Sequence, residues 1–260
     1  MNQNIAQHFR KSEIPFLKYC TDLVNTVIYE YRPVLTAFFN PRQVYLLSVI
    51  ANSYNEVNYK FFGGYSKAEM KRGIIFPSYY HPRIDDFQLV LINVKYPIKF
   101  ANLRHSQILG ALMGAGIKRS VIGDILTDGK HWQFLTIQTM QDYLLFQISR
   151  IGRVKVKLEP ISLDQIITPQ NDWQDKYVVV SSLRIDNIIS VGFKVSRKVA
   201  KSLVKHGRVR LNWEEFERPD FSLEKHDILS VRQYGRIRIK SLHGRSKKGK
   251  LKVIISIIKK

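Results

Sequence analysis

The chain has 260 residues, of which 45% are hydrophobic, enough for one large domain or two to three small ones and too many for a disordered tail. Its net charge is +21, and residues 181–260 hold 21 Lys/Arg against 7 Asp/Glu, so we expect nucleic acid or, less well supported, an anionic membrane as partner. With a single cysteine, no apolar signal core and no apolar run near the ~18–20 residues that span a bilayer, a cytoplasmic protein without an internal disulfide is expected.

The N-terminal part has the spacing of helices. Apolar residues recur at helical intervals over Pro15–Tyr31, and Asn40 followed by Pro41 predicts a second helix start. Ser66 and Glu69 form a capping-box pattern that predicts one or two more helical turns. We therefore predict a helical N-terminal domain over residues 1–75. Two cations near its end are candidate phosphate contacts, although a solvated helix end explains them equally well: Lys71 and Arg72.

The middle part alternates strands and helices. Its pattern predicts, in order, a strand, a helix, two strands, a helix and a strand, over 87–94, 105–115, 121–126, 132–136, 138–149 and 154–158. This order favours a ferredoxin-like or RNA-recognition-like domain over 76–163, followed by a connector over 164–180. Lys118 and Arg119, just before a strand, could contact RNA phosphate or simply be exposed.

The stretch Ser182–Asn212 predicts two short amphipathic helices and a strand. In the second helix Ser196 is the expected N-cap and Gly207 the expected left-handed stop. Four apolar residues at helical spacing should face a core: Val199, Ala200, Leu203 and Val204. The cations fall mostly on the other side and, with the following strand, could track one phosphate backbone: Arg197, Lys198, Lys201, Lys205, Arg208 and Arg210. A hairpin with one basic face is predicted to end the chain, over 235–258.

No catalytic or metal-binding constellation is found. The seven histidines lack metal-ligand spacing, and the Gly110–Gly116 cluster lies within or at the end of a helix rather than between a strand and a helix. Asp85 and Asp86 are adjacent and would point to opposite faces of a strand. We therefore expect no enzyme activity, no cofactor and no metal.

Ser182–Asn212 resembles the RNA-binding domain first seen in small-subunit ribosomal protein S-four. The resemblance lies in Leu183–Asn187, in Ser196-Arg197 with the following apolar positions, in His206-Gly207, and in Asp227–Val231 further on. It implies a compact α+β surface for structured RNA over 181–260. The matched positions that take this role are Arg184, Ser196, Arg197, Lys198, Lys201, Lys205 and Arg208.

The whole chain resembles the bacterial YlmH-like proteins. The segments that carry this are Leu35–Gln43, Gly63–Arg72, His105–Ile125 and Ser181–Arg184. The resemblance implies an α+β protein with the three domains predicted above. It also implies binding to large ribosomal subunits that still carry peptidyl-tRNA, in ribosome-associated quality control. There the protein would contact ribosomal RNA and tRNA and stabilise tRNA while an elongating partner extends the stalled peptide. A monomer without membrane contact is expected.

Two departures from the S-four-like pattern affect loops. Arg-Gln-Tyr-Gly-Arg stands at 232–236 where Arg-Gly-x-Gly-Arg is expected, so Arg232 and Arg236 remain candidate RNA contacts while a close backbone approach is in question. Asn212-Trp213 lacks the Asn-Gly of a tight hairpin, which predicts a longer loop.

Two other classes of function stay open from the sequence. The S-four-like domain is often attached to pseudouridine synthases and methyltransferases, so an RNA-modifying enzyme is one alternative. A cell-division or membrane-surface adaptor that uses the basic C-terminal part is the other.

Overall fold

The computed structural model describes residues 9–167 and 173–259, which fall into two compact units divided between Gln170 and Asn171. Both units combine helices with antiparallel sheets, which confirms the predicted α+β class. None of the helices within these two ranges is long and apolar enough to cross a membrane.

The first unit begins with a lobe of two helices on a three-stranded sheet. The helices are α1 (Ile14–Glu30) and α2 (Pro41–Ala51), and the sheet has the order β1-β3-β2, with β1 at Val34–Phe39, β2 at Val57–Phe62 and β3 at Lys71–Pro77. The Asn40 side chain accepts a hydrogen bond from the backbone N–H of Gln43, which confirms the predicted cap of α2.

The prediction that residues 1–75 are all helical is wrong for the segments between and after the helices. Val34–Phe39 is a short apolar run, and such runs are ambiguous between strand and buried helix. The predicted helical turns at Ser66–Arg72 lead instead into β3, which pairs with both neighbouring strands. Because β3 ends at Pro77, it also crosses the predicted domain boundary at 75/76.

A second lobe follows, with the predicted strand–helix–strand–strand–helix–strand order. The elements are β4 (Leu89–Lys95), α3 (His105–Gly114), β5 (Ile122–Thr127), β6 (Trp132–Ile137), α4 (Gln141–Gln147) and β9 (Lys157–Ile161), with a two-stranded addition of β7 (Arg150–Ile151) and β8 (Val154–Lys155). Its sheet order is β5-β6-β4-β9 with antiparallel neighbours. This confirms the ferredoxin-like arrangement.

The N-terminal lobe packs directly on the sheet of this middle lobe. Leu91 and Leu135 project from the two central strands on the side away from the helices, and both are fully buried. A Cβ built on Gly64 would lie 2.5 Å from Leu135, and one on Gly123 would lie 2.8 Å from Phe38. Glycine is therefore required at both points of approach.

A partly buried carboxylate also joins the two lobes. Asp124 accepts hydrogen bonds from the Tyr65 hydroxyl at 2.8 Å and from the backbone N–H groups of Glu69 and Met70 at 2.8 and 3.0 Å. Three donors from the N-terminal lobe thus meet one side chain of β5, which links the two lobes as one folded body.

The substitution Asp124→Asn should destabilise the first unit by about 2–3 kcal/mol, because an amide presents one acceptor oxygen in place of two and leaves buried donors unpaired. Tyr65→Phe removes only one of the three bonds and should cost about 1 kcal/mol. Urea denaturation of the full chain measures both values. Equal costs for the two variants would contradict the role assigned to Asp124.

The second unit has two helices on one face of a six-stranded sheet. The helices are α5 (Ile185–Phe193) and α6 (Arg197–Lys205), and the strands are β10 (Gln174–Val180), β11 (Val209–Leu211), β12 (Glu214–Glu215), β13 (Ile228–Val231), β14 (Gly235–Arg245) and β15 (Leu251–Lys259). The sheet order is β10-β15-β14-β13-β11-β12. The predicted C-terminal hairpin is confirmed as β14 and β15.

The predicted connector over 164–180 is wrong in its second half. Gln174–Val180 is strand β10, which pairs along its full length with β15. Its run of aromatic and β-branched residues suits a half-buried strand. The predicted turn residues Pro169, Asn171 and Asp172 lie outside the described residues.

Two hairpin turns of this unit hold non-glycine residues in the left-handed region. Asn212 and Trp213 have φ of 50° and 73° and form a two-residue connection between β11 and β12, so the predicted longer loop is wrong. The Asn212 side chain stabilises the turn by bonding the Asp227 carboxylate and the backbone N–H of Ile228. Gln233, in the turn between β13 and β14, has φ 72° at the position where glycine was expected.

Gln233→Gly should stabilise the second unit by about 1 kcal/mol, because glycine adopts positive φ without the steric cost that glutamine carries. The matched control is Gly235→Ala in the same turn. There φ is 127° and an added Cβ would overlap the carbonyl oxygen of Ile258, so that variant should be strongly destabilised. Urea denaturation checks both, and a Gln233→Gly variant less stable than the parent would contradict this reading of the turn.

Candidate RNA-binding surface

Helix α6 starts and stops where its sequence predicts. The Ser196 hydroxyl accepts a hydrogen bond from the backbone N–H of Val199 at 3.2 Å, and Gly207 has φ 64°. Ala200 and Val204 are fully buried, and Leu203 packs against the same core. Val199, however, is 41% exposed, which corrects its predicted place in the core. The buried stripe is thus one residue narrower than predicted.

The opposite side of α6 forms an exposed cationic face. Arg197, Lys201 and Lys205 follow one another at four-residue intervals, which spaces them by about 6 Å along the helix. Lys198 and Arg208 are exposed beside them. Among the described residues, Lys198, Lys201, Lys205 and Arg208 have no carboxylate partner within 4 Å. We call the set Arg184, Ser196, Arg197, Lys198, Lys201, Lys205 and Arg208 the α6 face.

One buried carboxylate organises the start of the α6 face. Asp186 is fully buried at the start of α5, and its two oxygens accept hydrogen bonds from Arg184 at 3.2 and 3.4 Å and from Arg197 at 2.9 Å. Burial disfavours its charged form, but the hydrogen bonds and positive charges of the two arginines outweigh that effect and lower the pKa of Asp186. Both guanidinium groups remain partly exposed at the surface.

The remaining predicted contacts of this unit divide between two places. The backbone N–H of Arg232 donates to the carbonyl oxygen of Arg208 at 2.9 Å, so the turn between β13 and β14 lies beside the α6 face. Arg210 and Arg236, in contrast, lie opposite Ser230 on neighbouring strands, on the side of the sheet away from the helices. The predicted set is therefore not one surface.

Two of the four cations of the first unit that were predicted as possible phosphate contacts, Arg72 and Arg119, donate to backbone carbonyls within the fold. Arg72 is buried, donates to the backbone carbonyls of Thr36 and Phe87 at 2.7 Å each, and has its pKa lowered by burial to about 10. Arg119 is half-buried and donates to the backbone carbonyls of Ile122 and Gly123. The prediction of Arg72 as an RNA contact is wrong because its guanidinium group is buried and bonded to distant backbone segments. Arg119, whose bonds are to carbonyls three and four residues away, stays a prediction. Lys71, half-buried, and Lys118, exposed, stay predictions.

Comparison with known proteins identifies the two RNA-related regions independently. The family described as "Putative RNA-binding domain in YlmH" matches residues 82–165, and the S4 domain matches residues 183–229. The chain is 37% identical over 250 residues to "Ribosome-associated protein quality control protein P2" of Bacillus subtilis, which covers 96% of this chain and 97% of that protein. The chain belongs to the YlmH family.

Other relatives agree with this membership. A solved structure, "Cell division protein ylmH from Streptococcus pneumoniae", matches with 32% identity and a TM-score of 0.55 over 62% of this chain and 98% of that chain. Small ribosomal subunit protein uS4 of Fervidobacterium nodosum is 26% identical over 109 residues, which are 42% of this chain and 52% of that protein. The S4-like character of the C-terminal unit is thus confirmed together with the YlmH-like whole.

The YlmH-type middle domain does not offer its sheet to RNA in the manner of RNA-recognition domains. Those domains stack bases on exposed aromatic residues of the two central strands. Here the corresponding side of β4 and β6 carries Leu91, Leu135 and Gln133, all buried beneath neighbouring segments. The Gln133 amide is itself bonded to backbone groups of Gln165 and Ile167. The part of the sheet that RNA-recognition domains use for stacking is therefore closed in this chain.

Sequence reasoning missed Asp186 as a positioning residue. The pattern around it predicts only an ordinary helix position, although a carboxylate two residues after Arg184 is a recognisable signal. Its second partner, Arg197, is eleven residues away, at a separation that no local pattern reports. Trp173 and Trp213 were also missed, and they contact arginines on the outer side of the sheet.

Asp186→Asn should destabilise the second unit by about 2 kcal/mol at neutral pH, because it removes charge-assisted hydrogen bonds to two arginines. The lowered pKa means that this stabilisation is present above the ordinary aspartate pKa and is lost as pH falls through the lower folded-state pKa. The difference between parent and variant should therefore shrink below about pH 4.

Chemical denaturation at a series of pH values measures this difference, and the exposed Asp220→Asn variant is the matched control. A difference between parent and Asp186→Asn that stays constant from pH 7 to about pH 3 would contradict the ion-pair account.

Proposed function

We propose that this protein binds the large ribosomal subunit through structured RNA, with the α6 face as its main contact. The observation that carries the proposal is a row of exposed cations on a helix of the S4 domain, most of them without a carboxylate partner among the described residues. A buried Asp186 holds the first arginine of this row in place. Preorganised arginines and lysines at helical spacing suit the phosphates of a folded RNA, and Ser196 can add its hydroxyl as a donor.

The proposal extends to the setting of this binding. The name of the B. subtilis relative, which covers nearly the whole chain, supports a role in ribosome-associated quality control. In this role the protein would bind subunits that carry peptidyl-tRNA and contact both ribosomal RNA and tRNA. It would stabilise the tRNA while a separate elongation factor extends the stalled peptide. It would act as a monomer and would not bind a membrane.

A non-catalytic mode of action is part of the proposal. Both matched domains are named for RNA binding or for a ribosomal protein fold, and neither is named for a reaction. The chain's cationic groups in the S4 domain are arranged for binding a polyanion. An RNA-modifying enzyme would in addition need to bind a reactant, and measurable binding of S-adenosylmethionine by calorimetry would favour that alternative.

The double substitution Lys198→Glu with Lys201→Glu should weaken co-sedimentation with large subunits by at least about a hundredfold, because it reverses the charge at two adjacent phosphate-binding positions that make no contact with Asp186. It should also reduce the salt dependence of binding, by roughly one unit of the logarithmic slope for each phosphate that is no longer neutralised. Sedimentation of the purified variant with isolated subunits at several salt concentrations measures both effects.

The matched control is Lys11→Glu with Lys18→Glu, which makes the same change of charge at exposed positions of the first unit. It should lose far less affinity than the α6 variant. Equal losses for the two double variants would mean that only net charge matters, and unchanged binding of the α6 variant would reject the site.

A further inference from the structure

The six-stranded sheet of the second unit has an outer face, opposite α5 and α6, that no described helix of this unit covers. The strand register places its side chains in transverse rows. One row is Arg210, Ser230, Arg236 and Ile258, and the next is Ile228, Arg238, Ser256 and Asp175. Beyond them lie Lys240, Tyr177, Lys252 and Val179. We call these residues, with Trp173 and Trp213, the outer sheet face.

Two tryptophans and two arginines form a stack on this face. The Arg236 guanidinium lies 5.5 Å from the Trp173 ring centre and 5.4 Å from that of Trp213. The Arg238 guanidinium lies 4.5 Å from the Trp173 ring centre. Trp213 takes part from a left-handed turn position with φ 73°, a conformation that costs energy for a bulky residue. The stack helps to offset this cost.

The stack differs from the hydrophobic packing on the other side of the sheet. Its members are half-exposed, and beyond it Tyr177 and Val179 are 58% and 46% exposed. Cations outnumber carboxylates: Arg210, Arg236, Arg238, Lys240 and Lys252 share the face with Asp175 and, on β12, Glu215. Arg238 also has a buried Nε that no described group bonds. The face is therefore aromatic and positively charged, and it is accessible at its rings and cations while Ile228 and Ser256 between them are buried.

We propose that the outer sheet face is a second RNA-binding site, which takes unpaired RNA by stacking bases on its aromatic rings. The Trp173 ring contacts both arginines and is partly exposed, and in this proposal its exposed part stacks on a base. A guanidinium group that stacks on a ring keeps its N–H donors free at its own edge. Phosphate oxygens between the bases can accept hydrogen bonds from these donors. Tyr177 supplies a further ring along the same face.

The chemistry of the face favours unpaired RNA over other partners. Exposed rings interleaved with cations are typical of proteins that bind single strands, because every base has a stacking surface and every linkage has a negative charge. A broad sheet does not fit the deep, narrow major groove of an RNA duplex, whose bases are already stacked. The α6 face, in contrast, presents cations without aromatic rings and suits a folded RNA backbone.

Tryptophan fluorescence tests the proposal on the full chain. The chain has three tryptophans, of which Trp132 is buried in the first unit while Trp173 and Trp213 lie on the outer sheet face. Titration with a twelve-nucleotide oligouridylate should quench the emission, because a stacked base quenches indole fluorescence. The Trp132→Phe variant should show the same titration, and Trp173→Leu should bind about tenfold to a hundredfold more weakly, as expected for the loss of one base–indole stack.

Two further variants separate a loss of binding at this face from misfolding and from binding at the α6 face. Tyr177→Ala removes an exposed ring without touching the core, so it should also weaken oligouridylate binding even if Trp173→Leu fails to fold. Lys198→Glu with Lys201→Glu, two exposed positions that do not contact Asp186, should leave the quenching intact, which separates this site from the α6 face. Absence of quenching in the parent, as expected if the face docks a protein instead, would overturn the proposal. So would unchanged binding by both ring variants, or loss of quenching in the α6 variant.

Discussion

The proposed RNA-binding surface of the second unit depends on one buried carboxylate. Asp186 sits at the start of α5 with no exposure, and it is stable there only because Arg184 and Arg197 donate to it. The interaction works in both directions. The arginines allow the carboxylate to be ionised inside the fold, and the carboxylate fixes two long, otherwise mobile side chains at the surface. The start of α5 is thereby connected to Arg197, the first residue of α6 and of the cationic row.

The first unit has the fold of RNA-recognition domains, but the sheet surface that such domains use for binding is covered. Its middle lobe has the strand order of RNA-recognition domains, yet the N-terminal lobe covers the sheet where such domains stack bases. Leu91 and Leu135 take the place of exposed aromatic residues, and glycines 64 and 123 allow the two lobes to approach closely. Several residues that carry the YlmH-like resemblance, among them Tyr65, Arg72 and Asp124, serve this junction. Fold alone would have pointed to the wrong surface.

The sequence predicts well what is decided locally. Ser196 and Gly207 bound α6 because caps depend on a few adjacent residues, and the alternation in β14 and β15 specifies a hairpin. The strands of the N-terminal lobe were missed because short apolar runs such as Val34–Phe39 do not distinguish a strand from a buried helix. The Asn212-Trp213 turn was misjudged because its tightness rests on bonds from Asn212 to β13 and on Arg236 of β14, both distant along the chain.

The site was predictable only in part for a similar reason. The cations of α6 are visible as a pattern, but the pattern does not tell which arginines are buried. Arg72 and Arg119 look like exposed cations in the sequence, and their carbonyl partners become apparent only in the folded chain. Arg210 and Arg236 were predicted to contact RNA together with α6. The alternation of side chains along their strands instead places both on the face of the sheet away from the helices. Long-range packing, rather than composition, decides how each charge is used.

The central claim is that the α6 face contacts ribosomal RNA. Its most direct test is site-specific crosslinking in cells, with a photoreactive benzophenone amino acid in place of Lys201 and, separately, in place of Lys18 on α1. Sequencing of the captured RNA should show large-subunit ribosomal RNA and tRNA enriched at position 201 over position 18. If position 201 captured no more RNA than position 18, the α6 face would not be the RNA-binding surface.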